Sequence, residues 1–193
     1  MNKILIIDNF DSFTYNLFYL IQNHYNGIVE VKRDNNIALD EVEEYQAIVI
    51  SPGPGNPANS GLSMAILEKY HSTKPFLGVC LGMQCINKFF EGETIRSPYP
   101  VHGKQREIFQ IEDSPILFGI NSPLLVARYH SLMIKVTSPD LLIVAESNEK
   151  IPMIIEHKEL PIFGVQFHPE SFMTPQGDQM IINFLDCVDS YAK

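Results

Sequence analysis

The segment Pro75-Phe-Leu-Gly-Val-Cys80-Leu-Gly-Met-Gln84 joins an apolar run to a stretch of helical character. Between the two stands Gly78-x-Cys80-x-Gly82, the arrangement of a nucleophile elbow with cysteine in place of serine. The glycines are expected to let the backbone turn sharply and to let strand and helix pack closely. Cys80 then sits at a helix N-terminus, whose dipole favours thiolate over thiol. Because a small cysteine between glycines also serves packing, the elbow alone leaves both interpretations open.

The rest of the chain alternates short apolar runs with helical patterns, which predicts strands and helices in turn. The predicted strands are Ile4–Ile7, Ile28–Val31, Ala47–Ile50, Phe76–Val79, Met153–Ile155 and Ile162–Phe167. The predicted helices are Ser12–Asn23, capped by Asp11 or Ser12, and Gly61–Tyr70, Leu81–Phe90 and Gln176–Tyr191. This alternation predicts an α/β fold, a three-layer open sheet that is mostly parallel with helices on both faces. The strand-like stretch from Gly92 to Glu146 predicts a mixed extension of that sheet, so that residues 1–193 form a single domain.

The amino-acid composition argues against several classes of protein. The 193 residues are 45% hydrophobic, which suits a packed core, and the net charge of −9 argues against nucleic acid as a partner. No run of about 18 apolar residues predicts a membrane span. The three cysteines form neither a disulfide framework nor a zinc-binding pair, so a reducing, cytoplasmic location is expected.

A cysteine nucleophile needs a base, and the base needs a group that orients it. Of the six histidines, only His168 combines a preceding apolar strand with a carboxylate two residues later, in Gly164-Val-Gln-Phe-His-Pro-Glu170. Pro169 fixes the backbone between them, which favours Glu170 as the acceptor that holds the imidazole tautomer. Alone, His-Pro-Glu is better interpreted as a surface turn, but together with the elbow it predicts a base and its orienter.

A third motif, Ser51-Pro-Gly-Pro-Gly55, again follows a predicted strand. Two prolines and two glycines make a rigid loop whose backbone N–H groups can converge on an anion, as an acyl-transfer site requires. The alternative is a stiff turn between strand and helix, which is the better interpretation of this loop by itself. Nucleophile, base, orienter and donor loop together predict acyl transfer through a thioester.

The three motifs together resemble the class I (triad-type) glutamine amidotransferases over essentially the whole chain. Three further blocks resemble the subunits that serve anthranilate synthase and aminodeoxychorismate synthase: Asp8-Asn-Phe-Asp-Ser-Phe-Thr-Tyr-Asn16, His102-Gly-Lys104 and Arg128-Tyr-His-Ser-Leu132. The resemblance implies a Cys80, His168 and Glu170 triad, with the backbone N–H groups of Gly55 and Leu81 as an oxyanion hole. Glutamine is then held by Gln84, by the backbone at Ser131 and Leu132, and by the loop Gly53, Pro54 and Gly55.

The function implied by this resemblance is hydrolysis of L-glutamine to glutamate without a cofactor. The ammonia passes to a larger chorismate-binding synthase subunit, in tryptophan or in folate biosynthesis. Two alternatives stay open: a different acceptor synthase, and another cysteine hydrolase with a similar elbow. A phosphoacceptor module built on Asp8 and Asp11 is excluded, because Ser51 and its loop stand where the phosphorylated aspartate belongs. His102 and His130 are interpreted as hydrogen-bonded structural histidines, and Cys85 and Cys187 as core cysteines.

Overall fold

The structure, a computed structural model, describes residues 2–33 and 36–191; the other residues of the expected 1–193 domain lie outside it. The strands are β1 (Lys3–Asp8), β2 (Ile28–Arg33), β3 (Ala47–Ile50), β4 (Phe76–Val79), β5 (Glu93–Gln110), β6 (Leu124–Lys135), β7 (Leu141–Ser147), β8 (Pro152–His157) and β9 (Ile162–Val165). The helices are α1 (Thr14–Gln22), α2 (Gly61–Tyr70), α3 (Leu81–Phe89) and α4 (Gly177–Tyr191). Three short 3₁₀ turns span Leu39–Glu44, Pro57–Asn59 and Pro115–Leu117.

The strands of this described part form a single sheet in the order β2-β1-β3-β4-β9-β8-β7-β5-β6. From β2 to β9 the neighbours are parallel, whereas β8, β7, β5 and β6 continue the sheet in antiparallel pairs. The predicted parallel sheet with a mixed extension is therefore confirmed. Since β4 and β9 are parallel neighbours, the segments that follow them emerge at the same edge of the sheet, where sites of such folds form.

Helices cover both faces of the parallel half, as predicted. Alternate residues of β1 point to opposite faces, so Ile4 and Ile6 pack in one core with residues of α1 and α4. Leu5 and Ile7 pack in the other core with residues of α2 and α3. Within the described ranges, no helix is both long and apolar enough to cross a membrane.

Several predicted boundaries differ from the observed ones by one or two residues, and two of these differences lie next to the candidate site. Helix α1 begins at Thr14 without a side-chain cap, so neither Asp11 nor Ser12 caps it. Buried Asp8 instead accepts from the Asp11 N–H at 3.2 Å and the Thr14 hydroxyl at 2.9 Å, which folds the preceding turn. Strand β9 ends at Val165 and not at Phe167, and beyond it the His168 N–H donates to the Ala127 carbonyl of β6 at 3.1 Å.

Candidate active site

Cys80 occupies a sharp turn between β4 and α3. Its backbone has φ of 52° and ψ of −98°, a conformation that residues with a side chain seldom adopt. Backbone hydrogen bonds before and after the side chain hold this strained conformation. The Cys80 N–H donates to the Val165 carbonyl at 2.7 Å, and the Cys80 carbonyl accepts from the Gln84 N–H at 3.2 Å. The side chain is therefore fixed at the first turn of α3, next to the end of β9.

The flanking glycines serve both the turn and the packing around it. A Cβ at Gly78 would lie 2.4 Å from the carbonyl carbon of Gly82 across the turn, and one at Gly82 would lie 2.3 Å from the Ile50 carbonyl oxygen. Neither glycine has a positive φ, since the positive φ belongs to Cys80 itself. The glycines therefore let the backbone turn sharply because they carry no side chain, and the expected close contact of strand and helix is present.

His168 and Glu170 lie together just beyond β9. The Nδ1 atom of His168 is 2.6 Å from Oε1 of Glu170, and the two side chains are only 5% and 0% exposed. The backbone holds the turn in place, because the His168 N–H donates to the Ala127 carbonyl at 3.1 Å and its carbonyl accepts from the Thr174 hydroxyl at 2.7 Å. With Nδ1 engaged by Glu170, Nε2 is the ring nitrogen available to Cys80.

The electrostatics of this group favour a protonated imidazole. Burial acts to lower the pKa of His168, but its side-chain hydrogen bonds with Cys80 and Glu170, and the negative charges of both partners, raise that pKa to about 10. His168 then keeps its proton at neutral pH. A protonated imidazole next to the nucleophile holds a proton ready for a leaving group.

Two side-chain contacts at this site were not predicted from the sequence. The fully buried amide of Gln166 donates from Nε2 to the Cys80 sulfur at 3.5 Å. The rings of Phe13 and Tyr129 cover His168, with centroids 5.9 Å and 5.2 Å from its ring. Gln166 favours negative charge on the sulfur, and the two aromatic rings restrict water at the imidazole. The only sequence signal was the position of Gln166, two residues before His168.

The Ser51–Gly55 loop is clamped by a buried asparagine. The Asn9 backbone N–H donates to the Ser51 hydroxyl at 2.9 Å, and the Asn9 amide nitrogen donates to the Ser51 carbonyl at 3.1 Å. Gly55 has a φ of 85°, which glycine adopts at low cost. Gly55 and Leu81, the two residues expected to supply the oxyanion donors, line one cleft of about 290 Å³.

The remaining predicted glutamine contacts are more dispersed. Pro54 lines the cleft with Gly55, but neither Gln84 nor Ser131 does. Gln84 is buried, and its Oε1 has no hydrogen-bond partner among the described residues. Leu132 borders a neighbouring cleft of about 410 Å³. The structure thus brings the predicted triad residues and the donor loop to one edge of the sheet, while Gln84, Ser131 and Leu132 lie outside the cleft that Gly55 and Leu81 line.

Cys187 offers a competing cysteine site, since it lines a cleft of about 390 Å³ with Glu156 and His157. Burial raises the pKa of the Cys187 thiol, and the charges of Asp186 and Glu156 raise it further. The Nδ1 atom of His157 is occupied by two backbone N–H groups of its own turn, at 3.1 and 3.0 Å. A nucleophile needs the opposite pKa shift and an available base. Cys80 is therefore the stronger candidate.

Comparisons with known proteins agree on one family. Residues 5–187 match the family model described as glutamine amidotransferase class-I. The chain is 42% identical over 187 residues to the aminodeoxychorismate/anthranilate synthase component 2 of Bacillus subtilis (strain 168), covering 95% of each chain. It is 39% identical to the bifunctional protein TrpGD of Thermotoga maritima, covering 100% of this chain but only 33% of that protein. Among solved structures, a glutamine amidotransferase from Thermotoga maritima superposes with a TM-score of 0.78 at 14% identity, covering 98% of this chain and 96% of that one.

Proposed function

The chain belongs to the class-I glutamine amidotransferase family, and on that premise we propose that it releases ammonia from L-glutamine for a larger chorismate-binding synthase subunit. The observation that carries the proposal is the buried contact of His168 with Glu170, at 2.6 Å, beside the strained Cys80 turn. The family match over residues 5–187 supports reading residues 1–193 as one amidotransferase domain. A thiolate nucleophile also needs a reducing compartment, so we place the protein in the cytoplasm.

The chemistry follows from the geometry of the three side chains. The Cys80 thiolate attacks the side-chain amide carbon of glutamine, and the N–H groups of Gly55 and Leu81 receive the oxyanion that forms. His168 donates its proton to the departing nitrogen, which leaves as ammonia, and a glutamyl thioester remains on Cys80. Water then transfers a proton to His168 and attacks the thioester carbon, which gives glutamate and restores the thiolate–imidazolium pair.

Substrate glutamine is placed by the groups around this triad. In this proposal Gln84, the Gly53–Gly55 loop, and the backbone at Ser131 and Leu132 bind it. Buried Gln84 supports this role, because its amide oxygen lacks a hydrogen-bond partner in the described part of the chain and a polar atom in that state favours a ligand. The amide carbon of glutamine is then held between Cys80 and the oxyanion donors.

Ammonia released in water at neutral pH is protonated and loses its nucleophilicity, so a partner must receive it through a sealed path. The name of the Bacillus relative joins anthranilate and aminodeoxychorismate synthesis in one protein. We propose that the ammonia from this chain is used in anthranilate synthesis, which is the tryptophan branch, in aminodeoxychorismate synthesis, which is the folate branch, or in both.

The experiment that tests the function is glutamate release by the purified chain, with and without each candidate chorismate-using partner. Strong stimulation by one partner is expected, and no release with either partner contradicts the proposal.

The surface proposed to meet the partner is the phenylalanine rim, defined as Phe10, Phe13 and Phe172. These side chains are 56%, 36% and 93% exposed. Phe13 touches the His168 ring, and Phe172 follows Glu170 by two residues, so the rim borders the proposed catalytic group. Exposed aromatic side chains are the usual anchors of protein interfaces.

Replacing Phe172 with serine tests this surface. Since Phe172 is almost fully exposed, the substitution should leave folding and unstimulated glutaminase activity unchanged. We expect partner affinity, measured by titrating the stimulation of glutamate release, to fall about ten-fold, as loss of one interface aromatic typically does. The matched control is Phe118→Ser, because Phe118 is 78% exposed and lies outside the rim. Equal effects of the two substitutions would place the partner elsewhere.

A further inference from the structure

A buried chain of hydrogen bonds runs along one face of β6. The Arg128 Nε–H donates to Nε2 of His130 at 3.0 Å, and Nδ1 of His130 lies 2.8 Å from the Leu132 carbonyl oxygen. Arg128 is 1% exposed and His130 is 3% exposed. The chain therefore links two buried polar side chains to one backbone carbonyl of the segment that the proposed function assigns to glutamine.

This arrangement fixes the tautomer of His130. A guanidinium has only donors, so the Nε2 atom that faces Arg128 must be an unprotonated acceptor. The single proton of the neutral ring is then on Nδ1, where it donates to the Leu132 carbonyl. Burial lowers the pKa of His130 to about 4, and the positive charge of Arg128 acts in the same direction against the Leu132 hydrogen bond. The ring stays neutral at the pH at which enzymes of this kind work.

The backbone at Ser131 and Leu132 needs such support, because the pairing of β5 with β6 is interrupted at this point. Strand β5 pairs Arg96 with Leu132 and Val101 with His130, so four residues of β5 stand opposite the single residue Ser131. Two of those four are Pro98 and Pro100, which have no N–H to donate. The interrupted ladder does not fix this stretch of backbone, and the His130 contact is a hydrogen bond that holds its Leu132 carbonyl from the buried side.

We propose that His130 and Arg128 are positioning residues for glutamine: through the Leu132 carbonyl they hold the backbone at Ser131 and Leu132 in the orientation that binds the substrate. The inference rests on the proposed function and goes beyond it by assigning a role to two side chains outside the triad. Tyr129 lies between them in sequence and points the other way, onto the His168 ring at 5.2 Å. The same short segment of β6 thus carries the backbone that is proposed to bind glutamine and an aromatic ring that packs against His168.

Two substitutions of His130 separate its two hydrogen bonds. In His130→Asn the amide nitrogen overlays Nδ1, so the donor to Leu132 is kept and the acceptor for Arg128 is lost. In His130→Gln the amide oxygen overlays Nε2, so the acceptor is kept and the donor is lost. We expect the glutamine KM to rise about ten-fold or more in His130→Gln and less than about three-fold in His130→Asn, with kcat changed less than about two-fold in both.

Alkylation of Cys80 by iodoacetamide supplies a readout that does not involve glutamine. Its rate should match that of the unsubstituted protein in both variants. The variant Arg128→Lys removes the Nε donor and keeps the charge, so it should raise KM about three-fold. It should have no further effect on KM when combined with His130→Asn, in which the Arg128 hydrogen bond is already absent.

The outcomes separate this inference from the proposed function. If the unsubstituted chain releases glutamate and His130→Gln leaves the KM for glutamine unchanged, the positioning role is overturned and the proposed function stands. Equal loss of kcat and alkylation rate in both His130 variants also overturns it, since that result describes a residue that only maintains the fold. No glutamate release by the unsubstituted chain with any partner overturns the proposed function, and this inference with it.

Discussion

Replacing Cys80 with alanine should reduce glutamate release from glutamine by about 10⁴-fold or more, the greatest loss expected of any single substitution in this chain. Without the sulfur no thioester forms, and the remaining oxyanion donors alone give little rate acceleration. The measurement is glutamate release in the presence of the stimulating partner. Reaction of the same complex with added ammonium salt should be spared, because the partner's own chemistry does not use the Cys80 thiol.

The matched control is Cys187→Ala, which removes a thiol from the cleft that Cys187 lines with Glu156 and His157. Since burial and nearby carboxylates raise the pKa of Cys187, its loss should leave glutamate release within about two-fold of the unsubstituted rate. Retained hydrolysis in Cys80→Ala would refute the nucleophile assignment. If only Cys187→Ala loses hydrolysis, the nucleophile is Cys187 and the reaction takes place in the cleft that Cys187 lines.

The fold was predictable where local pattern and packing agree. Helix α2 spans Gly61–Tyr70 as predicted, and strands β3 and β4 have the predicted bounds. Prediction failed where a distant group decides the local structure. Buried Asp8 organises the turn before α1, and the Ala127 carbonyl of β6 holds the chain beyond the end of β9 through the His168 N–H. Neither partner can be identified from the residues next to the boundary.

The site was predictable to the extent that its groups lie in short motifs. Cys80, His168 and Glu170 each stand in a recognisable local setting, and the structure brings the segments that carry them together. The aromatic rings added by the structure come from elsewhere in the chain. Tyr129 reaches His168 because the β6 backbone bonds to the turn after β9 through the Ala127 carbonyl. A hairpin strand from the antiparallel extension has no periodic signal that points to a particular loop, so sequence alone could not place it.

Replacing Glu170 with glutamine should lower kcat for glutamine hydrolysis by about 10³-fold, with a small change in KM. The substitution keeps the shape of a side chain that is fully buried and removes its charge. Glu170 now accepts from Nδ1 of His168 at 2.6 Å, which holds Nε2 towards Cys80. An amide can rotate its NH₂ group towards Nδ1, and that favours the tautomer with the proton on the wrong nitrogen.

The same substitution should shift the pH dependence in a defined direction. Burial acts to lower the pKa of His168, and the hydrogen bonds and charges of Cys80 and Glu170 together raise it to about 10. In the unsubstituted protein His168 therefore keeps its proton as pH rises, until pH passes about 10, and activity should persist to that point. Glutamine at position 170 removes one of the two negative charges, so the pKa of His168 falls. The alkaline limb of kcat should move to lower pH.

Both effects are measured from pH profiles of glutamate release and of Cys80 alkylation by iodoacetamide. The control is Glu146→Gln, which removes a carboxylate paired with Lys150 at 3.3 Å and away from the triad, and which should leave both profiles unchanged. If kcat falls but the alkaline limb of its pH profile stays at the same pH, Glu170 orients the His168 ring without raising the pKa of that ring. An unchanged kcat would remove Glu170 from the triad, and the tautomer of His168 would then depend on its backbone contacts and the aromatic rings that cover it.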